Sequence, residues 1–212
     1  MTVIIQAIPI LAVVLVFFSS LGLLIITNWR WSIVVLTFQY VGLFVLVSQS
    51  WPVTLALVKL VAGWMAGAII GLALSNRDIE YQISARGVFQ SGLKKKERFF
   101  SSYRVFRLFI AGMVGLIILA LAPYINKFLP EIKLEQSVGA LFLMGFGILQ
   151  LSLTTDLLLV ILGLLTTLSG FEIIYADIES SSLVTALLAT VTLGIALLGA
   201  YLLSIGHGDV SQ

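Results

Sequence analysis

Apolar runs of about the 20 residues that a helix needs to cross a bilayer recur along this 212-residue chain. They fall at about 3–27, 32–47, 53–74, 106–125, 137–153, 156–178 and 183–205. Inside a bilayer every backbone N–H and C=O must be paired within the protein, which leaves helices or a closed barrel. The runs are continuously apolar rather than alternating, so they predict helices. The expectation is an all-α integral membrane protein of about seven transmembrane helices. Composition leaves little for anything else, since charged residues are 10% of the chain against about 25% in a soluble domain. Cysteine is absent, which excludes disulfides and thiolate chemistry. A single histidine, His207, makes a histidine-rich metal site or haem pair an unsuitable reading. No Gly-rich phosphate loop, metal-ligand cluster or nucleophile constellation is present. We expect no cofactor, no metal, no nucleic-acid partner and no covalent catalysis by this chain alone. No basic residue precedes the first run, so it is expected to be a retained span and not a secretory signal.

Charge sets the expected orientation. Residues 75–107 hold eight of the twelve basic residues: Arg77, Arg86, Lys94, Lys95, Lys96, Arg98, Arg104 and Arg107. The positive-inside rule places that stretch in the cytoplasm. Seven spans then put the N-terminus outside and the C-terminus inside. Arg30, between Trp29 and Trp31 in the first turn, falls on the same inner side, with the tryptophans at the interface. Lys94–Lys96 are expected to be ordinary topology-setting charge, with contact to anionic headgroups as the alternative. The chain divides into a three-helix unit at 1–74, a cytoplasmic basic loop at 75–105, a linking helix and outer loop at 106–136, and a second three-helix unit at 137–212. The two triplets share an orientation, the layout of a parallel duplication, although residue identity is too low to show one.

Within the spans, two charged residues stand out. Lys59 lies about seven residues, roughly 10 Å of helix, from the outer end of the third run. Gly63, Gly67 and Gly71 follow it at steps of four, a ridge that permits close helix packing. Lys59 shares that face and is expected to point at protein, either in a proton path or snorkelling to the outer headgroups. Glu172 sits roughly 24 Å along the sixth run, in its outer third. Ser169, Ala176 and Glu179 share its face. It is either a carboxylate that takes and gives protons or one solvated at the membrane edge with Asp177 and Glu179. Charges in lipid cost about 3 kcal/mol each on insertion scales, so both demand an explanation. Ala186, Thr190 and Gly194 form a small-residue ridge on the last run, and Gly163 lies on the sixth. Thr190 and Thr192 are expected to bond to their own helix backbone. Gln39 and Tyr40 are the polar residues of the second span; Gln39 either bonds to a group on the third or makes a plain helix-packing contact. Asp156 suits the N-cap of the sixth helix.

The stretch GALFLMGFGILQLSLTTDLLLVILGLL, followed by LLATVTLGIALLGAYLL, resembles the three-helix K subunit of complex I. It is also similar to the C-terminal half of the hydrogenase-4 E subunit and to the C subunit of multi-subunit sodium/proton antiporters. The larger E subunit is similar in length and in having a third-span lysine, matched here by Lys59. The resemblance implies a non-catalytic subunit that sits beside antiporter-like subunits in the cytoplasmic membrane of a prokaryote. It implies proton (or sodium) passage along buried lysines and glutamates. Lys59, Glu172, Thr190 and Gln39 are then the path candidates. Gly63, Gly67, Gly71, Gly163 and Gly194 are the packing candidates. The family's first glutamate position is occupied here by Leu165, with Glu172 seven residues further on the same face. Its second glutamate position is Thr190. The alternatives are a structural or assembly subunit without an ion path, and a stand-alone secondary transporter. The latter calls for paired Gly/Pro-interrupted spans, and none stands at matching positions.

Overall fold

The computed structural model describes residues 2–26, 28–85, 97–128, 132–179 and 181–205. Those residues form seven helices and no strands: α1 (Thr2–Ile25), α2 (Trp29–Val47), α3 (Val53–Ala85), α4 (Glu97–Phe128), α5 (Leu134–Leu153), α6 (Leu157–Ile178) and α7 (Ser182–Ile205). All seven are long and apolar enough to cross a membrane, so the chain is a multi-pass membrane protein. The expected boundaries hold to within a few residues except around the basic stretch. There the expected loop at 75–105 is a correction: α3 continues to Ala85 and α4 starts at Glu97. Charged side chains do not stop a helix once it leaves hydrocarbon, because Arg, Lys and Glu are good helix formers in water. Lys94–Lys96 and His207 lie outside the described residues.

Local chemistry starts and ends the spans. The Asn28 side chain accepts from Arg30 N at 3.3 Å and opens α2. The Asp156 carboxylate accepts from Leu158 N at 3.1 Å and opens α6, as expected of an acidic N-cap. The Arg30 guanidinium lies 5.2 Å from the Trp29 ring centroid, so the cation and its aromatic neighbour form one interfacial unit. Short turns make successive helices antiparallel. The bundle therefore has an N-terminal end, where α1 starts, and a basic end, where α3 leaves and α4 enters.

The triplets are not separate units. α3 packs on α7, α1 on α5 and α2 on α6, while α5 and α6 pair across their short hinge. The reason is that apolar side chains gain nothing by leaving lipid for one another; close approach and hydrogen bonds decide the pairing instead. The main core joins α1, α2, α3, α5, α6 and α7, with α6 the most buried span. Helix α4 stands at the side. It is held by a smaller cluster in which Phe17, Phe142 and Phe146 pack together beneath Ala111 and Ile118.

Arg107 fastens α4 at the basic end. Its Nη1 donates to Leu24 O and its Nη2 to Leu153 O, each at 3.0 Å. Those carbonyls belong to the last turns of α1 and α5, where helix acceptors have no intrahelical partner and the dipole favours a cation. Only 6% of Arg107 is exposed. Its role is thus structural, beyond the topology-setting charge expected of it. Arg107→Leu is expected to lower stability by about 2–3 kcal/mol, with Arg107→Lys recovering part, because a point ammonium does not reproduce the planar fork. The unfolding midpoint in detergent checks this; an unshifted midpoint for Arg107→Leu would remove the clamp.

Candidate functional site

Lys59 and Glu172 meet. Lys59 Nζ lies 2.6 Å from Glu172 Oε1, and each side chain is 1% exposed. The encounter follows from depth. Lys59 comes six residues after the start of α3, and Glu172 six before the end of α6. Both therefore sit about 9 Å along their helices from the N-terminal end. Neither is the edge-solvated group that stood as the plainer expectation. Thr192 Oγ1 of α7 bonds to its own backbone at Leu188 O, 3.0 Å away, as expected, and also lies 3.4 Å from Glu172 Oε1, which shares its single proton. The second Glu172 oxygen, Oε2, is buried with no hydrogen-bond partner among the described residues.

Tyr40 of α2 and Gly63 of α3 make room for the pair. A Cβ at Gly63 would fall within the Tyr40 ring, so only glycine lets that fully buried ring lie across α3. The Tyr40 hydroxyl reaches the neighbourhood of Ser169 and Glu172. Gly67 and Gly71 continue the ridge against Ile33 and Leu36 of α2. The glycine ridge thus seats α2 on α3, and Lys59, one turn before Gly63, is carried to the same interior.

A polar file continues along α6 from Glu172 toward the basic end. Ser169 and Thr166 follow at three-residue steps, both buried. Gln39 Nε2 of α2 donates to Thr166 Oγ1 at 3.2 Å, and Gln39 Oε1 has no partner among the described residues. Gln39 therefore bonds to the sixth span, not to the third as expected: α2 packs on both α3 and α6, and this side chain takes the α6 side. On the other side of the pair, Asp177 accepts from Ser50 Oγ, and Ser50 accepts from Gln136 Nε2 at 2.6 Å. Trp51 Nε1 donates to Glu179 O at 3.0 Å. These contacts form a polar lid at the N-terminal end of the bundle.

Two expected positions fall elsewhere. Thr190 faces out of the bundle, and its hydroxyl bonds to Ala186 O at 2.8 Å. Thr192, two residues on and so rotated by about 200°, is the threonine that reaches Glu172. Gly194 lies on the same outward ridge as Thr190. A methyl added there would meet nothing within 4 Å, so this glycine packs no described helix of the chain. Gly163 does lie at a close crossing, with Leu151 3.1 Å from where its Cβ would be. Tyr40 was visible only as a polar residue of the second span and Ser169 only as a member of the Glu172 face; Arg107 gave no sign beyond its charge.

No family model matches the chain, and neither a curated protein nor a solved structure matches it.

Proposed function

We propose that this chain is a membrane subunit of a complex I-like, hydrogenase-like or antiporter-like assembly, and that Lys59 and Glu172 are one station in its proton (or sodium) path. The observation that carries the reading is the ion pair itself. A lysine and a glutamate, each 1% exposed, sit within spans where charge is costly and most often functional. The unpartnered Oε2 leaves the carboxylate able to accept a proton or a transient donor without first breaking its contact with Lys59. Ser169, Thr166 and Gln39 supply hydroxyl and amide groups over the next two turns, about 9 Å of rise. In this reading the N-terminus is outside, the basic segment is in the cytoplasm of a prokaryote, and antiporter-like subunits flank the chain. A second reading is a purely structural subunit. It draws on the fact that the pair ties α3 of the first triplet to α6 of the second.

Purification in mild detergent tests the class: large antiporter-like membrane chains should come with it, and a clean monomer or homo-oligomer would overturn the proposal. Glu172→Gln in the assembled complex, reconstituted in vesicles, tests the station. Ion translocation per assembled complex should be lost, whatever the yield. Wild-type translocation per complex would favour the structural reading.

A further inference from the structure

A cavity of about 630 Å³ opens at the N-terminal end, away from the ion pair, between the starts of α1 and α5 and the end of α2. That volume is within the usual range of about 300–1,000 Å³ for ligand sites. Its lining is divided by chemistry. Ile8, Ile10 and Val45 make an apolar wall, whereas Gln49, Lys133 and Glu135 make a polar rim. Each wall residue lies within the first or last turns of its span, the level at which hydrocarbon gives way to headgroups. The rim offers both signs of charge two residues apart. Lys133 Nζ donates to Gln49 Oε1 at 3.4 Å, while the Gln49 amide nitrogen is buried, with no partner among the described residues.

We propose that this cavity binds one phospholipid with a primary-amine, zwitterionic headgroup. Its phosphate meets the Lys133 ammonium, a donor only, which Gln49 Oε1 holds at the rim. Its ammonium donates to the Glu135 carboxylate, and an acyl chain lies on Ile8, Ile10 and Val45. Charge complementarity separates this occupant from its rivals. An anionic lipid such as phosphatidylglycerol would bring net negative charge to Glu135 and offer it only neutral hydroxyl donors, weaker than a charged ammonium. A choline lipid has no N–H to donate, and quaternary ammonium groups are held by aromatic faces, whereas none of the described lining residues is aromatic.

The test is lipid competition on the full chain, purified and delipidated in mild detergent. Phosphatidylethanolamine, phosphatidylcholine and phosphatidylglycerol of one acyl composition are added together, and adducts are counted by native mass spectrometry. Wild type should carry phosphatidylethanolamine in about tenfold excess, the worth of one charge-assisted hydrogen bond. Glu135→Gln should bring it to parity with phosphatidylcholine. Lys133→Met should weaken all three, as should Val45→Trp, which fills the wall without touching a charge. Size-exclusion elution like that of wild type shows that the variants are folded. Equal uptake of the three lipids by wild type, or a preference that survives Glu135→Gln, would overturn the proposal. So would displacement of the lipid by equimolar glycerophosphoethanolamine, because the site would then hold a headgroup and not a lipid.

Discussion

Glu172→Leu is expected to lower the unfolding free energy by about 3–5 kcal/mol, and adding Lys59→Met to it should recover most of the loss. The reason is an asymmetry. Removing the carboxylate leaves Lys59, 1% exposed, without its ion-pair partner among the described residues and buried away from the protein surface. Replacing both partners by apolar side chains of similar length removes the two desolvation penalties together with their mutual attraction, and the sum is near zero. Lys59→Met alone is destabilising for the same reason, with Thr192 Oγ1 at 3.4 Å too weak a donor to hold the carboxylate by itself. Unfolding titrations in mixed detergent micelles give the three values as a double-mutant cycle. Single variants as stable as wild type would mean that the pair reaches water. A double variant as unstable as either single one would mean that lost packing, not charge, sets the cost. The double variant also separates the two functional readings. It should assemble and fold yet pass no ions if the pair is a relay, and pass them normally if the pair is a clamp.

Gly170→Ala is expected to cost about 3 kcal/mol, at the top of the usual range for overpacking, and no side-chain truncation nearby should restore it. A Cβ at Gly170 would lie 2.6 Å from Ala140 O and 2.7 Å from Met144 N. Both are backbone atoms of α5, so relief requires the two helices to separate. At Gly147, on the facing helix, a Cβ would lie 2.7 Å from Thr167 N and 2.9 Å from Gly163 O, so the α5–α6 seam is closed from both sides. In a bilayer such close approach is what holds helices together, since lipid is as apolar as their surfaces. Gly63→Ala makes the instructive contrast. Its methyl would meet a side chain, the Tyr40 ring, so Tyr40→Val should rescue Gly63→Ala, whereas Met144→Ala should leave Gly170→Ala unstable. Thermal midpoints in one detergent decide both cases, and rescue of Gly170→Ala by Met144→Ala would show that the helix backbones can yield.

The spans were legible in the chain because crossing a bilayer is a local requirement: about 20 consecutive apolar residues suffice to announce a helix, whatever packs against it. Asp156 was equally legible, since an N-cap bonds two residues away. The Gly63–Gly67–Gly71 ridge correctly turned Lys59 toward protein. The basic stretch misled because charge ends a span without ending a helix, and α3 runs on to Ala85.

Everything that concerns partners was decided by packing. Lys59 and Glu172 are 113 residues apart, and their equal depth was readable, yet equal depth says nothing of which helices are neighbours. That choice came from glycines whose contacts are long-range: Gly63 against Tyr40, and Gly147 and Gly170 against the facing backbone. The same packing sent Gln39 to Thr166 and put Thr192, not Thr190, at the carboxylate. Arg107 shows the limit most plainly. It bonds to the carbonyls of Leu24 and Leu153, and a backbone acceptor carries no residue type by which a sequence could announce it.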